Sequence, residues 1–367
     1  MKKIAIFSSN SSSLINFRGK LLEAFIQRGH VVYALSPLDK KIEKELLEIG
    51  VRFIRFEFNR TGMNPFSDIL VLIRLIFVLK KIKPDVLISY TIKPVLYVNF
   101  INLIFKLRSF SLITGLGFYF FGKGNTKKMI RFFLIKFYTL TLKASKKGIF
   151  QNQDNLKYFL NKKIIPKEKS SLIEGSGVDL DYFYKMPLVS TNNFLMSGRL
   201  IKDKGVYEFI EAAKTVKKQY PSTTFTLIGG QDDNPSSLSE DEIDELKKEN
   251  IIEYLGFLDD PRDAIISCSC FVLPSHHEGL PRSTLEAMSM GRAIITTDAP
   301  GCKDTVLDGV NGFVVPVADH LSLSNRMLKF IEEPSLCKTM GEASRVIAEK
   351  RFDVHLVNSL LISEMNL

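Results

Sequence analysis

Two α/β domains, each a parallel sheet wrapped on both faces by helices, are what this sequence predicts, and three observations carry that reading. Short apolar runs alternate with amphipathic stretches along both halves of the chain, the order that builds parallel sheets with crossover helices. At 367 residues the chain exceeds what one hydrophobic core usually serves, and 45% hydrophobic residues suffice for two. Periodicity lapses from Gly175 to Thr191, where turn residues gather, so the domains are expected over 1–182 and 183–352.

In the first half strands are expected near 3–8, 31–36, 51–58, 86–89, 110–114, 148–151 and 171–174, with amphipathic helices between them. In the second half the pattern repeats at 194–197, 224–229, 251–255, 270–274, 293–297 and 312–315. The opening apolar run, Ile4 to Phe7, is too short for a signal-peptide core and reads as the first strand. Arg74 splits the most apolar stretch, ILVLIRLIFVL, below the eighteen residues of a spanning helix. The four cysteines have no metal-quartet spacing and are expected to be reduced and buried, as in a cytosolic protein.

The most informative segment is SHHEGLPRSTLEAMSMG, residues 275–291. It follows the apolar run Cys270 to Pro274, a buried parallel strand, and leads into helical apolar spacing at Leu285 and Met288. The turn therefore lies at a strand's carboxyl end, where open α/β sheets bind ligands. There a helix N-terminus offers N–H groups to a phosphate, and Gly279 lets backbone approach closely. Glu278 stands in the loop and Glu286 early in the helix, so both carboxylates can face one cleft and accept paired hydrogen bonds from a sugar or ribose diol. Two glutamates that only complement the helix dipole are the plainer alternative. A second segment, FLMSGRLIKDKG at 194–205, reads as a strand, a Gly198-Arg199 turn and a helix starting near Gly205. Its plainer alternative is a solvated basic loop.

Glutamate, seven residues, glutamate resembles the donor-binding motif of the retaining GT-B glycosyltransferases of family 4. The resemblance spans nearly the whole chain and implies the GT-B fold, two Rossmann-like domains facing a central cleft, with the last helix (about 353–367) returning to the N-terminal domain. It implies that Glu278 contacts the transferred sugar and Glu286 the nucleotide ribose, with Gly198, His277, Gly279, Leu280 and Pro281 beside them in the donor site. Arg199 and Lys204, five positions apart, then clamp the donor diphosphate and with Glu278 form the implied catalytic set. Two fixed cations beside a diphosphate leaving group stabilise the charge that develops as the glycosidic bond breaks, and can replace a metal. No metal or other cofactor is therefore expected, only a UDP-linked sugar as donor.

INFRG (15–19), EFNRTGMNPF (57–66), TGLG (114–117) and GGQDDNPS (229–236) add a likeness to bacterial enzymes that extend a polyprenyl-diphosphate-linked saccharide with an N-acetylhexosamine or related sugar. By that likeness Asn16, Arg18 and Gly19 face the donor diphosphate from the loop after the first strand. The chain departs from the family where many members carry a histidine, reading Thr114-Gly115-Leu116-Gly117, and from a close relative's histidine near Thr91-Ile92-Lys93. Lys93, Thr114 and Gly115 are candidates for acceptor contacts or for structural roles. His276 and His277 are adjacent, so they cannot share a helix face as metal ligands do. Asp179-Leu180-Asp181 has the Asp-x-Asp form used by metal-dependent GT-A transferases, but its place in the interdomain turn favours a capping role.

Charge divides sharply. Residues 1–150 carry 26 Lys/Arg and 8 Asp/Glu (+18), and residues 151–367 carry 24 and 32 (−8), summing to +10. The basic half calls for an anionic partner: a membrane surface or a diphosphate-bearing acceptor rather than nucleic acid, for which no helix-turn-helix, zinc or RNP-like pattern is present. As a helix, residues 126–148 place Lys128, Arg131, Thr139, Lys143 and Lys146 near one face and Met129, Ile130, Phe133, Leu134, Phe137 and Leu140 near the other, fitting a peripheral contact with the cytoplasmic membrane face or an ordinary packing helix. The reading is a UDP-sugar-dependent retaining transferase. A GT-B sugar-nucleotide epimerase and a basic membrane- or nucleic-acid-binding protein with a vestigial donor site are the alternatives.

Overall fold

The computed structural model describes residues 1–59, 64–116, 120, 124–189, 192–231 and 236–367, with backbone alone at 65, 126 and 127. The segments 57–66, 114–117 and 229–236 singled out above thus fall partly outside the described residues. The chain divides into two compact units: Met1–Ser176 with Val357–Leu367, and Gly177–Leu356.

The first unit is a seven-stranded parallel sheet of order β3-β2-β1-β4-β5-β6-β7. Its strands are β1 (Lys3–Phe7), β2 (Val31–Ser36), β3 (Arg52–Arg55), β4 (Val86–Tyr90), β5 (Ser109–Ile113), β6 (Lys147–Phe150) and β7 (Ser170–Leu172). Each meets a strand expected from the sequence. β3 ends at Arg55 instead of running to 58 and, among the described residues, lies at the sheet edge paired with β2. Strand pleating sends Ile4, Ile6, Val32, Ala34, Val86 and Ile88 into one core, and Ala5, Phe7, Leu35 and Leu87 into another on the opposite face. The first core is closed by α2 (Gly19–Gln27) and α3 (Lys40–Glu48), and by Val357, Leu361 and Ile362 of the last helix. The second is closed by α4 (Pro65–Ile82) and α5 (Ile92–Phe105). Further along that face α6 (Asn125–Thr141) and α7 (Gln153–Asn161) pack through Tyr138 and Phe159, whose rings lie 5.4 Å apart.

The second unit repeats the plan with six parallel strands in the order β10-β9-β8-β11-β12-β13. They are β8 (Asn193–Ser197), β9 (Thr224–Ile228), β10 (Glu253–Tyr254), β11 (Cys270–Leu273), β12 (Ala293–Thr297) and β13 (Gly312–Val315). Helices α8 (Val206–Lys217), α9 (Glu240–Lys248), α10 (Arg262–Ser267), α11 (Arg282–Ser289), α12 (His320–Glu332) and α13 (Ser335–Ile347) cover its two faces. Helix α9 begins with a capping box, in which Ser239 and Glu242 satisfy each other's backbone N–H. Asp39, Asn64, Asn152 and Asp319 cap other helices in the same way as single acceptors. The last helix, α14 (Val354–Glu364), straddles the division, and its end is tied to the first unit by Lys147 with Glu364 at 2.6 Å and by Arg108 donating to the Met365 carbonyl at 2.6 Å.

All four cysteines are free and buried, and burial pushes the Cys268 and Cys302 thiols up to about 12, so none is poised to react as a thiolate. The Asp179 carboxylate accepts from the N–H groups of Asp181 (3.1 Å) and Tyr182 (3.0 Å), the capping geometry of a turn.

Candidate active site

The second unit gathers its candidate residues at the carboxyl ends of two neighbouring strands, β8 and β11. After β8 the chain turns at Gly198 and Arg199, then forms a short 3-10 turn, Lys202–Lys204, before α8. Gly205, at φ 77°, makes that turn possible: a Cβ there would lie 2.0 Å from the Pro274 carbonyl oxygen. Only glycine lets the start of α8 press against the end of β11 this closely. Lys204 is thereby carried to Glu278, and the two form an ion pair, with side chains 22% and 11% exposed. Ser275 Oγ donates to the same carboxylate oxygen at 2.7 Å, and the Glu278 N–H donates to the Pro300 carbonyl at 3.0 Å. Gly301 completes the cradle, because a Cβ on it would come within 2.6 Å of the Glu278 carbonyl oxygen.

Leu280 and Pro281 are buried, seating the start of α11 on the sheet end, while His277 and Gly279 stay half-exposed in the loop. One turn into α11, Arg282 Nε lies 3.1 Å from Glu286 Oε1. Burial raises the Glu286 carboxyl from 4.5 to about 7, against the pull of Arg282. The folded unit therefore holds a proton that the unfolded chain has lost across this window, so its stability falls as pH rises from about 4.5 to 7. Glu286→Gln is expected to flatten that decline; a thermal-unfolding series between these pH values that is unchanged in the variant would contradict it.

His276 has a structural task. Its Nε2 lies 2.9 Å from Glu208 Oε1 of α8, and its N–H donates to the Asp203 carbonyl at 2.9 Å. Burial pushes the Glu208 carboxyl up, yet the bond from His276 carries it below its ordinary value. Arg199 is exposed at the β8 end. Ser275, Arg282 and Glu208 escaped the sequence reading. Arg282 had a usable signal, standing four residues before Glu286 on one helix; Ser275 and Glu208 meet their partners only through tertiary contact.

The first-unit candidates occupy the carboxyl ends of β1, β4 and β5, but not as an open cluster. Asn16 is exposed at the end of α1 (Ser12–Asn16), and Gly19 begins α2. Arg18 is only 3% exposed and lies over the Tyr90 ring at 5.4 Å. Gln151, in the amide orientation that satisfies both ends, accepts from Arg18 at 3.2 Å and donates to the Thr114 carbonyl at 3.2 Å. Arg18 is thus buried between Tyr90 and Gln151 behind the loop that follows the first strand. Thr114 and Gly115 are half-exposed. Lys93 pairs with Asp68 at 3.0 Å and donates to the Asn59 carbonyl at 2.9 Å, fastening α5 to α4.

Comparison with known proteins follows the same two-unit division. Residues 3–152 match the family model described as glycosyl transferase 4-like, and residues 187–346 match that for glycosyl transferases group 1. The chain belongs to the group 1 and 4-like glycosyltransferases. This glycosyltransferase is 28% identical over 352 residues to the N,N'-diacetylbacillosaminyl-diphospho-undecaprenol alpha-1,3-N-acetylgalactosaminyltransferase of Campylobacter jejuni, covering 91% of this chain and 90% of the relative. It is 25% identical to the capsular polysaccharide biosynthesis glycosyltransferase CapM of Staphylococcus aureus, covering 82% of this chain and 81% of that one. Among solved structures it resembles Anabaena HepE in complex with UDP, at TM-score 0.78 and 18% identity, with both chains fully covered. It also resembles sucrose-phosphate synthase from Thermosynechococcus elongatus, at TM-score 0.81 and 16% identity, covering 100% and 98% of the two chains. The fold is GT-B.

Proposed function

We propose that this glycosyltransferase moves a sugar, an N-acetylhexosamine, from a UDP-linked donor to a polyprenyl-diphosphate-linked saccharide at the cytoplasmic membrane face, in bacterial surface-glycan assembly, with retention of configuration. The observation that carries the reading is the Lys204–Glu278 pair at the end of β11, with Arg199 at the end of neighbouring β8 and Glu286 one turn into α11. The names of the Campylobacter and Staphylococcus relatives support the acceptor and the pathway class, and the HepE complex supports the nucleotide.

In this reading Glu286 accepts from the ribose hydroxyls, Glu278 from hydroxyls of the transferred sugar, and Arg199 and Lys204 lie against the diphosphate. The bond from the anomeric carbon to the terminal phosphate oxygen lengthens first, giving an oxocarbenium-like centre. The acceptor hydroxyl oxygen bonds to that carbon on the face the phosphate leaves, and its proton passes to the departing phosphate oxygen, releasing UDP. Negative charge grows on the phosphate as the bond breaks, so cations that strengthen their hold at that moment lower the barrier. In this reading Arg199 and Lys204 neutralise the diphosphate in place of a metal ion.

The test is a panel of nucleotide sugars assayed for release of UDP or GDP with a bacterial membrane lipid extract as acceptor. One UDP-linked N-acetylhexosamine is expected to give acceptor-dependent UDP release that persists in excess EDTA. Release that needs no acceptor would point to an epimerase or hydrolase, and activity lost to EDTA and restored by manganese would replace the cation clamp by a metal.

A further inference from the structure

The outward face of α4 is apolar where a surface helix is ordinarily polar. Its inward stripe, Val71, Leu75, Leu79 and Ile82, fills the core beneath the sheet. The opposite stripe, Phe66, Ile69, Leu70, Ile73 and Phe77, is exposed, Phe66 to 81% and Phe77 to 69%. Arg74 interrupts this stripe, donating to the Glu57 carbonyl at 3.3 Å; a helix so largely apolar on both faces is ordinarily enclosed on both. The layer continues onto α5, where Lys80 lies 5.8 Å from the Phe105 ring and Leu103, Ile104 and Phe105 are exposed. It reaches α6 through Phe100, whose ring is 5.8 Å from that of Phe137, and there Met129, Phe132, Phe133 and Leu140 face outward. The helical face expected at 126–148 is thus shared: Leu134 and Phe137 pack inward against the unit, while Met129, Phe133 and Leu140 are exposed and extend the apolar surface.

Charge identifies what covers it. Exposed Lys80, Lys81, Lys83, Lys106, Lys128 and Lys136 stand on or at the ends of these helices. Residues 65–148 carry fifteen Lys and Arg against two carboxylates, Asp68 and Asp85, and Asp68 is taken by Lys93. A second copy of the same face would bring like charges together. A bilayer with anionic headgroups meets both features, with acyl chains for the apolar stripe and phosphates for the lysines around it.

We propose that the α4–α5–α6 face inserts in plane into the headgroup and upper acyl region of an anionic bilayer, with the Phe66 to Phe77 stripe of α4 as its deepest element. Among the described residues no helix is long and apolar enough to cross the membrane, so the contact is monotopic. The proposal rests on the membrane-surface part of the reading above but not on the transfer reaction, and gives that contact an apolar component on α4 as well as a basic one.

The test uses the full chain and phosphatidylglycerol-containing vesicles with no donor or acceptor. Wild type is expected to float with the vesicles and to keep part of its binding at about 0.5 M salt, where surface electrostatics are screened. Replacing Phe66, Leu70, Ile73 and Phe77 together by Ser should weaken binding at least tenfold and abolish the salt-resistant part, with circular dichroism unchanged. The chain has no tryptophan, so Phe77→Trp and Phe133→Trp each install a lone indole, and Leu321→Trp in the second unit serves as control. Acyl-brominated lipids should quench the first two and not the third. Unaltered binding by the serine variant, or no quenching at Phe77→Trp, would overturn the proposal; a concentration-dependent dimer that the serine variant dissolves would assign the face to a second copy instead.

Discussion

Lys204→Ala is expected to slow sugar transfer about 10²- to 10³-fold while changing donor affinity much less. The magnitude is that of removing one preorganised charge partner from a developing anion. Lys204 is held for this task before any donor arrives: Gly205 presses its turn against Pro274, and Glu278 with Ser275 receives the ammonium group. On the proposed mechanism the alanine variant loses the cation at the leaving group, and it also removes the ion-pair partner of the Glu278 carboxylate. Arg199→Ala should cost less, roughly tenfold or more, because in the proposed reading its exposed guanidinium shares the diphosphate with Lys204. Steady-state kinetics on a lipid-linked acceptor, with melting temperature as the fold control, separates the two effects. Near-wild-type turnover in both variants would remove the diphosphate clamp from the mechanism.

The largest stability effect is expected at Arg292, far from any candidate contact with substrate. Its side chain is 0% exposed and donates to four backbone carbonyls: Ile265 at 2.8 Å, Met186 at 3.2 Å, Pro187 at 3.1 Å and Ile266 at 3.3 Å. The guanidinium fork thus stitches the segment leading into β8 to α10. Arg292→Ala leaves these carbonyls without their donor and opens a cavity, which together should cost about 4 kcal/mol or more. For a unit of this size that corresponds to a fall in melting temperature on the order of 8–16 °C. Arg292→Lys should lie between wild type and alanine, since one ammonium group cannot reach four acceptors in a planar fan. Calorimetry of the full chain resolves the result; an alanine variant melting within about 2 °C of wild type would show that the carbonyls find other donors.

The legibility of this chain varied with the range of the interaction concerned. Glu278 and Glu286 stood out because a strand, a glycine turn and a helix follow one another within a few residues, and local chemistry reports its own geometry. Arg199 and Lys204 were visible for the same reason after β8. The enclosure of Arg18 was not legible, because a basic residue in a loop ordinarily faces water and nothing local announces that Tyr90 of β4 and Gln151 after β6 will meet it. The apolar outer stripe of α4 was hidden in a different way. A run apolar all round has no periodicity to show which side meets the sheet, so burial alone separated Val71, Leu75 and Leu79 from Phe66, Ile73 and Phe77.

By itself the sequence determined the alternation of thirteen strands with helices, the division into a basic and an acidic half, and the two motifs at strand ends. These follow from pleat and helix periods, from formal charge and from turn chemistry, all of which act over a few neighbours along the chain. Tertiary structure alone decided which charges meet: Lys204 with Glu278, Glu208 with His276, Lys93 with Asp68, and Arg292 with its carbonyls. It alone decided which hydrophobic side chains remain outside. The physical reason is that desolvation and ion pairing depend on distance in space, and in a doubly wound sheet residues adjacent in space are brought together from strands far apart in the chain.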